Sequence, residues 1–343
     1  MSDDFTDLPD LASRLLGSSV VYSTDELFAD RENLIRSEPP VHTAGDYGNK
    51  GKTYDGWETR RRREPGHDVA VVRLGAAGIV RGVVVDTSYF TGNFPPFVSV
   101  EATSMEGYPS PVELAAAAWE TLVPKTTAAG DVRNRYVVDS EHRWTHVRLS
   151  IYPDGGVARF RVHGEVVPDP RFLDGTVDLA ALENGGSIVD CSDMFYSSPV
   201  NLILPGRARS MAEGWENARR RDEENDHVTF RLAAAGSVRY VDVDTMYFIG
   251  NAPGWVRVAA SADGANWAEL LPRTRVQPDT RHRFRVTSVE PVIQLRLDVY
   301  PDGGLSRFRA FGEIDPVARQ DLRDRWWEAL PEAHRALLGS PPS

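Results

Sequence analysis

Apolar residues in this chain alternate with polar ones far more often than they recur at helical spacing. Asp68-Val69-Ala70-Val71-Val72-Arg73-Leu74 and Arg148-Leu149-Ser150-Ile151-Tyr152 are short β-branched and aromatic runs closed by turn residues, which is strand composition. Pro-Asp-Gly-Gly occurs at 153–156 and again at 301–304, each time between alternating runs, and predicts a β-hairpin with a glycine-driven turn. Helical signals are few. Leu8, Leu11, Leu15 and Leu16 have helical spacing ahead of Gly17, a left-handed stop. Ser110-Pro111-Val112-Glu113 is a capping box in front of a helix-forming alanine run. A further helix is predicted from Asp315-Pro316 through Trp326 and Trp327.

The pattern runs twice. Asp55-Gly56-Trp57-Glu58 with its following arginines is echoed by Glu213-Gly214-Trp215-Glu216, followed by Arg219-Arg220-Arg221. Val85-Asp86-Thr87-Ser88-Tyr89-Phe90-Thr91-Gly92-Asn93 is echoed by Val243-Asp244-Thr245-Met246-Tyr247-Phe248-Ile249-Gly250-Asn251. Arg159-Phe160-Arg161 is echoed by Arg307-Phe308-Arg309. A repeat this long is a duplicated domain, not a solenoid unit. The expected lobes are 17–167 and 185–314, with a linker over 168–184 and a helical tail over 315–339. Each lobe has many short strands and hardly any helix, which predicts a β-sandwich or jelly roll. Lobe 1 is the fuller copy. It carries about ten extra residues between Arg36 and Tyr54, a polar stretch with His42, Asp46, Asn49, Lys50 and Lys52 that reads as a loop. The capped helix at Ser110 is its second insertion.

Composition narrows the function. The 343 residues carry a net charge of -11, which argues against nucleic acid as a main partner. No apolar stretch is long enough for a membrane span. The single cysteine, Cys191, cannot form an internal disulfide, and with no apolar leader near Met1 the expectation is a cytoplasmic protein. Cys191 aligns with Ser23, so a cysteine nucleophile is not expected. The chain has no nucleophile elbow, P-loop or dinucleotide fingerprint.

The residues that both lobes keep are the candidates for chemistry. Glu58 lies between an aromatic residue and a cation run, as a general acid/base would; its plain rival is a salt bridge to the neighbouring arginines. Asp86 ends an apolar strand and is the second acid/base candidate, unless it makes only an Asx-turn. His67 is the third. Arg61 and Arg62 are candidate carboxylate clamps, and Tyr89, Asn93 and Trp57 complete the substrate-binding set. The second-lobe counterparts are Glu216, Arg219, Arg220, Asp244 and Asn251. His142 and His146 flank a strand-like run, where that spacing separates the rings by about 13 Å, and lobe 2 has Glu290 and Gln294 instead. No metal site and no cofactor are predicted; a divalent metal has no support in the sequence.

These strings, in this order and in both lobes, closely resemble the allantoicase (allantoate amidinohydrolase) family. The likeness covers Gly17 to Glu313. It implies two tandem jelly-roll sandwiches of the galactose-binding-like kind with a few peripheral helices. It also implies hydrolysis of allantoate to ureidoglycolate and urea in purine-derived nitrogen recovery. The expected partner is that small substrate, in a homo-oligomer. The alternatives are a metal-dependent hydrolase of another ureide and a duplicated carbohydrate-binding module. Such a reaction needs a clamp on the carboxylate, an acid for departing urea and a base for water. Lobe 2 has Asn217-Ala218 for Thr59-Arg60 and lacks both insertions. On that reading lobe 1 is the working copy.

Overall fold

The computed structural model describes residues 4–42, 45, 47–49, 51–222, 224–288 and 290–340. The described residues form two units, one from 4 to 167 with 327–340, the other from 168 to 326.

In the first unit the strands are β1 (Ser19–Ser23), β2 (Tyr47–Gly48), β3 (Gly51–Lys52), β4 (Trp57–Glu58), β5 (Asp68–Asp86), β6 (Phe97–Thr103), β7 (Glu120–Thr127), β8 (Arg133–Val137), β9 (Arg143–Tyr152), β10 (Gly156–Val157) and β11 (Arg159–Val166). The main sheet runs β1-β5-β9-β6-β7, and β8 and β11 also pair with β5. The long β5 makes the sandwich. Its first half, Asp68 to Arg73, lies between β1 and β9. Its second half, Gly78 to Asp86, pairs with β11 and, from Gly82 on, with β8. The change of partners falls at Gly78, where a Cβ would stand 2.1 Å from the Glu165 carbonyl oxygen. Only glycine allows that backbone approach. Alternate residues of β5 point into a core that includes Val72, Val83, Val85, Leu149 and Phe160, all fully buried.

The second unit repeats this plan. Its strands are β12 (Val177–Asp178), β13 (Ser187–Cys191), β14 (Asp226–Asp244), β15 (Trp255–Ser261), β16 (Ala268–Arg275), β17 (Arg281–Arg285), β18 (Val292–Tyr300) and β19 (Arg307–Ile314). Here β14 takes the place of β5, with β13 and β18 on its first half and β17 and β19 on its second. Phe230 and Phe308 stack in its core at 4.6 Å. All-β, duplicated and jelly-roll in character, the architecture is the one expected.

Three local expectations changed. Pro-Asp-Gly-Gly closes no hairpin in either lobe. In lobe 1, β9 pairs with β5 and β6, β10 pairs with β4, and β11 pairs with the far half of β5. The turn carries the chain between layers and docks the Trp-Glu-Arg string: Asp154 accepts from the Arg62 amide at 2.7 Å, and the Thr59 amide donates to the Gly155 carbonyl at 3.1 Å. Of the expected helix over Leu8 to Leu16 only a 3₁₀ turn, Arg14–Leu16, forms, preceded by a separate first turn at Phe5–Asp7. Asp10 interrupts it, bridging to His163 as a strand residue and accepting from the amides of Ala12 and Val162. Gly17 does end the second turn in the left-handed region, at φ 97°. The linker contributes β12, which pairs with β19.

The capping box forms as predicted and starts α1 (Pro111–Ala116). The C-terminal helices are α2 (Pro316–Ala329) and α3 (Glu332–Leu338). Among the described residues, no helix is long and apolar enough to cross a membrane.

Candidate functional site

Glu58 and Asn93 come together, and the surrounding backbone explains why. Glu58 is on β4. Its amide donates to Ala29 at 3.2 Å, and its carbonyl accepts from Phe28 and Ala29. Asn93 follows the β5 turn, and its carbonyl accepts from the Gly156 amide at 2.7 Å. These ties join four segments at one corner of the sandwich, where Asn93 Nδ2 donates to Glu58 Oε1 at 2.6 Å. Lobe 2 builds the same corner, with Asn251 Nδ2 donating to Glu216 Oε1 at 2.6 Å.

The rival reading of Glu58 as an ordinary salt bridge finds no partner. Among the described residues no cation pairs with its carboxylate, because the arginines behind it go elsewhere. Arg60 pairs with Asp25 at 2.6 Å and Arg62 with buried Asp68 at 2.8 Å. Burial pushes the Glu58 carboxyl above the ordinary range, and the Asn93 amide offsets this in part. A half-buried carboxyl without a counter-ion is suited to holding and returning a proton.

The other candidates fall into three groups. Tyr89 and Arg61 are exposed. Tyr89 has φ 69°, a conformation rare for a tyrosine, and its ring stacks on His42 of the lobe 1 insertion at 5.4 Å. Its amide donates to Asp131, which also has positive φ. Tyr247 repeats the strain at φ 70°. Arg61 has no partner among the described residues. A second group supports the corner from within. Trp57 is fully buried and donates its indole N–H to the Asp25 carbonyl at 2.7 Å, as Trp215 does to Asp193 at 2.8 Å. Arg62 and Arg220 use a guanidinium nitrogen on Asp68 and Asp226 and their amides on Asp154 and Asp302. Asp86, also buried, turns back on the amide and hydroxyl of Ser88, an Asx-turn. Last, His67 packs at a tilt against Tyr152, with ring centroids 4.7 Å apart. Its proton affinity is lowered by burial and by Arg62 and Arg148. Arg219 is exposed.

The histidine pair behaves as its strand spacing implied. His142 faces Glu120 at 3.6 Å, whereas His146 is buried against Thr145 and pushed down to about 4 by burial and Arg73. Asp46 and Lys50 lie outside the described residues. Among the described residues, no group of three or more His, Cys, Asp and Glu side chains is placed to hold a metal.

The structure adds a cavity of about 330 Å³ in lobe 2. Asp178, Glu183, Arg207, Asp242, Asp244, Arg281, Arg307 and Arg309 all line it. Of these only Asp244 was singled out from the sequence. The signal was present in the repeat: the Arg-Phe-Arg string is kept in both lobes, but the insertion that follows Arg36 in lobe 1 is missing in lobe 2. Burial raises Asp178 to about 6 and also pushes Glu183 up, while the arginines oppose both shifts.

Comparison with known proteins bears on what these corners belong to. A family model described as the allantoicase repeat matches residues 9–167 and again 177–315. A Nocardia farcinica protein named probable allantoicase is 54% identical over 314 residues, covering 90% of this chain and 95% of that one. A Streptomyces coelicolor protein of the same name is 49% identical, over 93% of this chain and 89% of its own length. The crystal structure of allantoicase from Saccharomyces cerevisiae superposes with a TM-score of 0.80 at 35% identity, covering 89% of this chain and 93% of that chain. With the repeat matched once on each lobe and relatives aligned over nearly their whole length, the chain belongs to the allantoicase family.

Proposed function

We propose that this protein is an allantoicase, hydrolysing allantoate to ureidoglycolate and urea in purine-derived nitrogen recovery, with Glu58 as its acid/base. The observation that carries the activity is family membership over both lobes, with 54% identity to a protein named probable allantoicase. The acid/base role is supported by the uncompensated, half-buried Glu58 carboxyl beside the Asn93 amide.

Allantoate has one carbon bearing a carboxylate and two ureido groups. The nitrogen of one ureido group donates its lone pair to that carbon. The C–N bond to the other group breaks, and urea leaves with the proton of Glu58. Water then adds to the iminium carbon and returns a proton to the Glu58 carboxylate, giving ureidoglycolate. Asn93 and Tyr89 are assigned to orient a ureido group, on the support of the Asn93 amide's hydrogen bond to Glu58. Arg61 is an uncommitted cation of the lobe 1 string, with no partner among the described residues. No step in this scheme is routed through a metal. We place the reaction in the cytoplasm, where the free thiol of Cys191 is at home, and assign the working protein as a homo-oligomer, to be tested by light scattering.

The activity is tested by urea release when purified protein meets allantoate. Wild-type protein that releases none, while turning over another ureide or binding only a glycan, overturns it.

A further inference from the structure

We infer that the lobe 2 cavity is a carboxylate-binding site, centred on Arg307 with Arg207, that takes a small ureido acid such as allantoate or ureidoglycolate. The ligand's identity rests on the proposed function; the site itself rests on the contrast between the lobes.

Arg159 in lobe 1 and Arg307 in lobe 2 occupy the same position, each following the turn into its strand and each almost fully buried. Arg159 is completely satisfied. Its Nε donates to the Glu38 carbonyl at 2.9 Å, its Nη1 to the carbonyls of Asp55 and Ala158, and its Nη2 to the Asp55 carboxylate at 2.7 Å. Arg307 keeps the carbonyl contacts, to Gly206, Glu213 and Ser306. It has lost the carboxylate. Glu213 stands where Asp55 does, but its carboxylate is taken by the side chain and amide of Arg209, at 2.6 and 2.8 Å. Among the described residues, Nη2 of Arg307 has no acceptor. The internal carboxylate of lobe 1 therefore shows what the vacant arm in lobe 2 is shaped to receive.

The rest of the lining suits that occupant. Asp178 is held by Arg309 and by the amides of Ala180 and Ala310. Asp242 is held by Arg281 and Arg283, and Asp244 accepts from the Met246 amide. These anions are engaged by their own donors. Arg207 is exposed at the rim without a partner among the described residues, so two arginines remain for an incoming anion. Glu183 Oε2 is buried and unpartnered, and burial favours its neutral form. A neutral carboxyl both donates and accepts, which matches a ureido group. Leu15 stands at the corresponding place in lobe 1, and Val84 replaces Asp242 there. A volume of about 330 Å³ is at the small end of the range for ligand pockets.

The test is calorimetric binding of hydantoate, a ureido monocarboxylate with no second ureido group to lose, alongside its uncharged amide. Wild-type protein is expected to bind hydantoate and not the amide. Arg207→Gln and Arg307→Gln are expected to weaken hydantoate binding by about 10-fold or more, the scale of one charge-assisted hydrogen bond. If Arg307→Gln fails to fold, the exposed Arg207 and Glu183→Gln carry the test. Equal binding of acid and amide, or unchanged hydantoate binding in the variants, overturns the inference. Failure of the proposed function looks different: no urea from allantoate, with Arg-dependent hydantoate binding intact.

Discussion

The two lobes share a scaffold and differ in how each completes it. Both fix a buried tryptophan on a backbone carbonyl, pair a glutamate with an asparagine, and hold a tyrosine at positive φ. They diverge at the buried arginine of the Arg-Phe-Arg string. Lobe 1 spends its insertion and Asp55 on closing over Arg159; lobe 2, without the insertion, leaves Arg307 facing a cavity. In lobe 1 the extra chain also brings His42 onto the exposed Tyr89. Duplication has let one copy elaborate the Glu58 corner while the other keeps an open, charged pocket.

The sharpest way to break this comparison is to remove the same carboxylate from both corners. Glu58→Gln keeps a hydrogen-bonding group for Asn93 but cannot carry a proton. It is expected to lower kcat on allantoate by about 10²–10⁴-fold, the usual range for a lost general acid/base. Glu216→Gln is expected to leave kcat within a few-fold of wild type. Steady-state urea release with both variants decides it. Equal losses would make the two corners equivalent, and full turnover by Glu58→Gln would remove Glu58 from the scheme.

A second pair separates a structural carboxylate from a peripheral one. Asp55→Ala leaves Arg159, 1% exposed, as a buried cation without its counter-ion. The expected cost is about 3–5 kcal/mol of lobe 1 stability. Glu213→Ala, at the aligned position, removes a carboxylate that is itself mostly buried but holds only the exposed Arg209 side chain and the Arg209 amide, and should cost about 1–2 kcal/mol. Urea denaturation of each variant measures the difference, and similar costs would mean that Arg307 depends on Glu213 after all.

The cavity also leaves a pH signature. The Asp178 carboxyl has its pKa raised from 3.8 to about 6 in the folded chain. As pH rises between these values the unfolded chain loses its proton first, so folding loses stability over that window and then levels off. The contribution is at most about 3 kcal/mol, from about two pK units. Asp178→Asn cannot ionise and should lack that decline. Thermal unfolding of the two proteins from pH 4 to 7 compares them, and parallel profiles would remove Asp178 from the account.

Much of this was legible before the fold was seen, and what was missed has a physical pattern. Repetition exposes the duplicated sandwich and the Glu58 and Asn93 strings, and the capping box marks the helix that lobe 1 alone carries, because local propensity and spacing carry those signals. The arginine run was harder to read. Arg60, Arg61 and Arg62 are consecutive, yet one pairs with Asp25, one is exposed, and one is committed to Asp68. Which arginine does which depends on residues far away in the chain. Trp57 looked like a surface for substrate and is a buried anchor. Asp178 and Glu183 fell in a stretch that reads as linker. Their meaning comes only from Arg307 and Arg309 across the lobe, a long-range pairing that no local pattern encodes.

The smallest expected effect concerns the second insertion. Helix α1 has only six residues, and of these Leu114 alone is buried. So short a helix is marginal by itself, and its N-terminus depends on reciprocal hydrogen bonds between Ser110 and Glu113. Its far end is covered by Trp119, whose N–H donates to the Leu114 carbonyl. Lobe 2 passes the same point without a helix. Asp263 there accepts from the amides of Ala265 and Asn266, and that turn leads directly into β16. The sandwich therefore does not require α1. Ser110→Ala should cost about 1 kcal/mol, confined to the helix. Hydrogen exchange is expected to show a loss of protection of about 5-fold over residues 111–116, with β6 and β7 unchanged. An equal loss in β6 would mean that lobe 1 has drawn its insertion into the cooperative core, and that the lobes differ in their folding unit as well as in their sites.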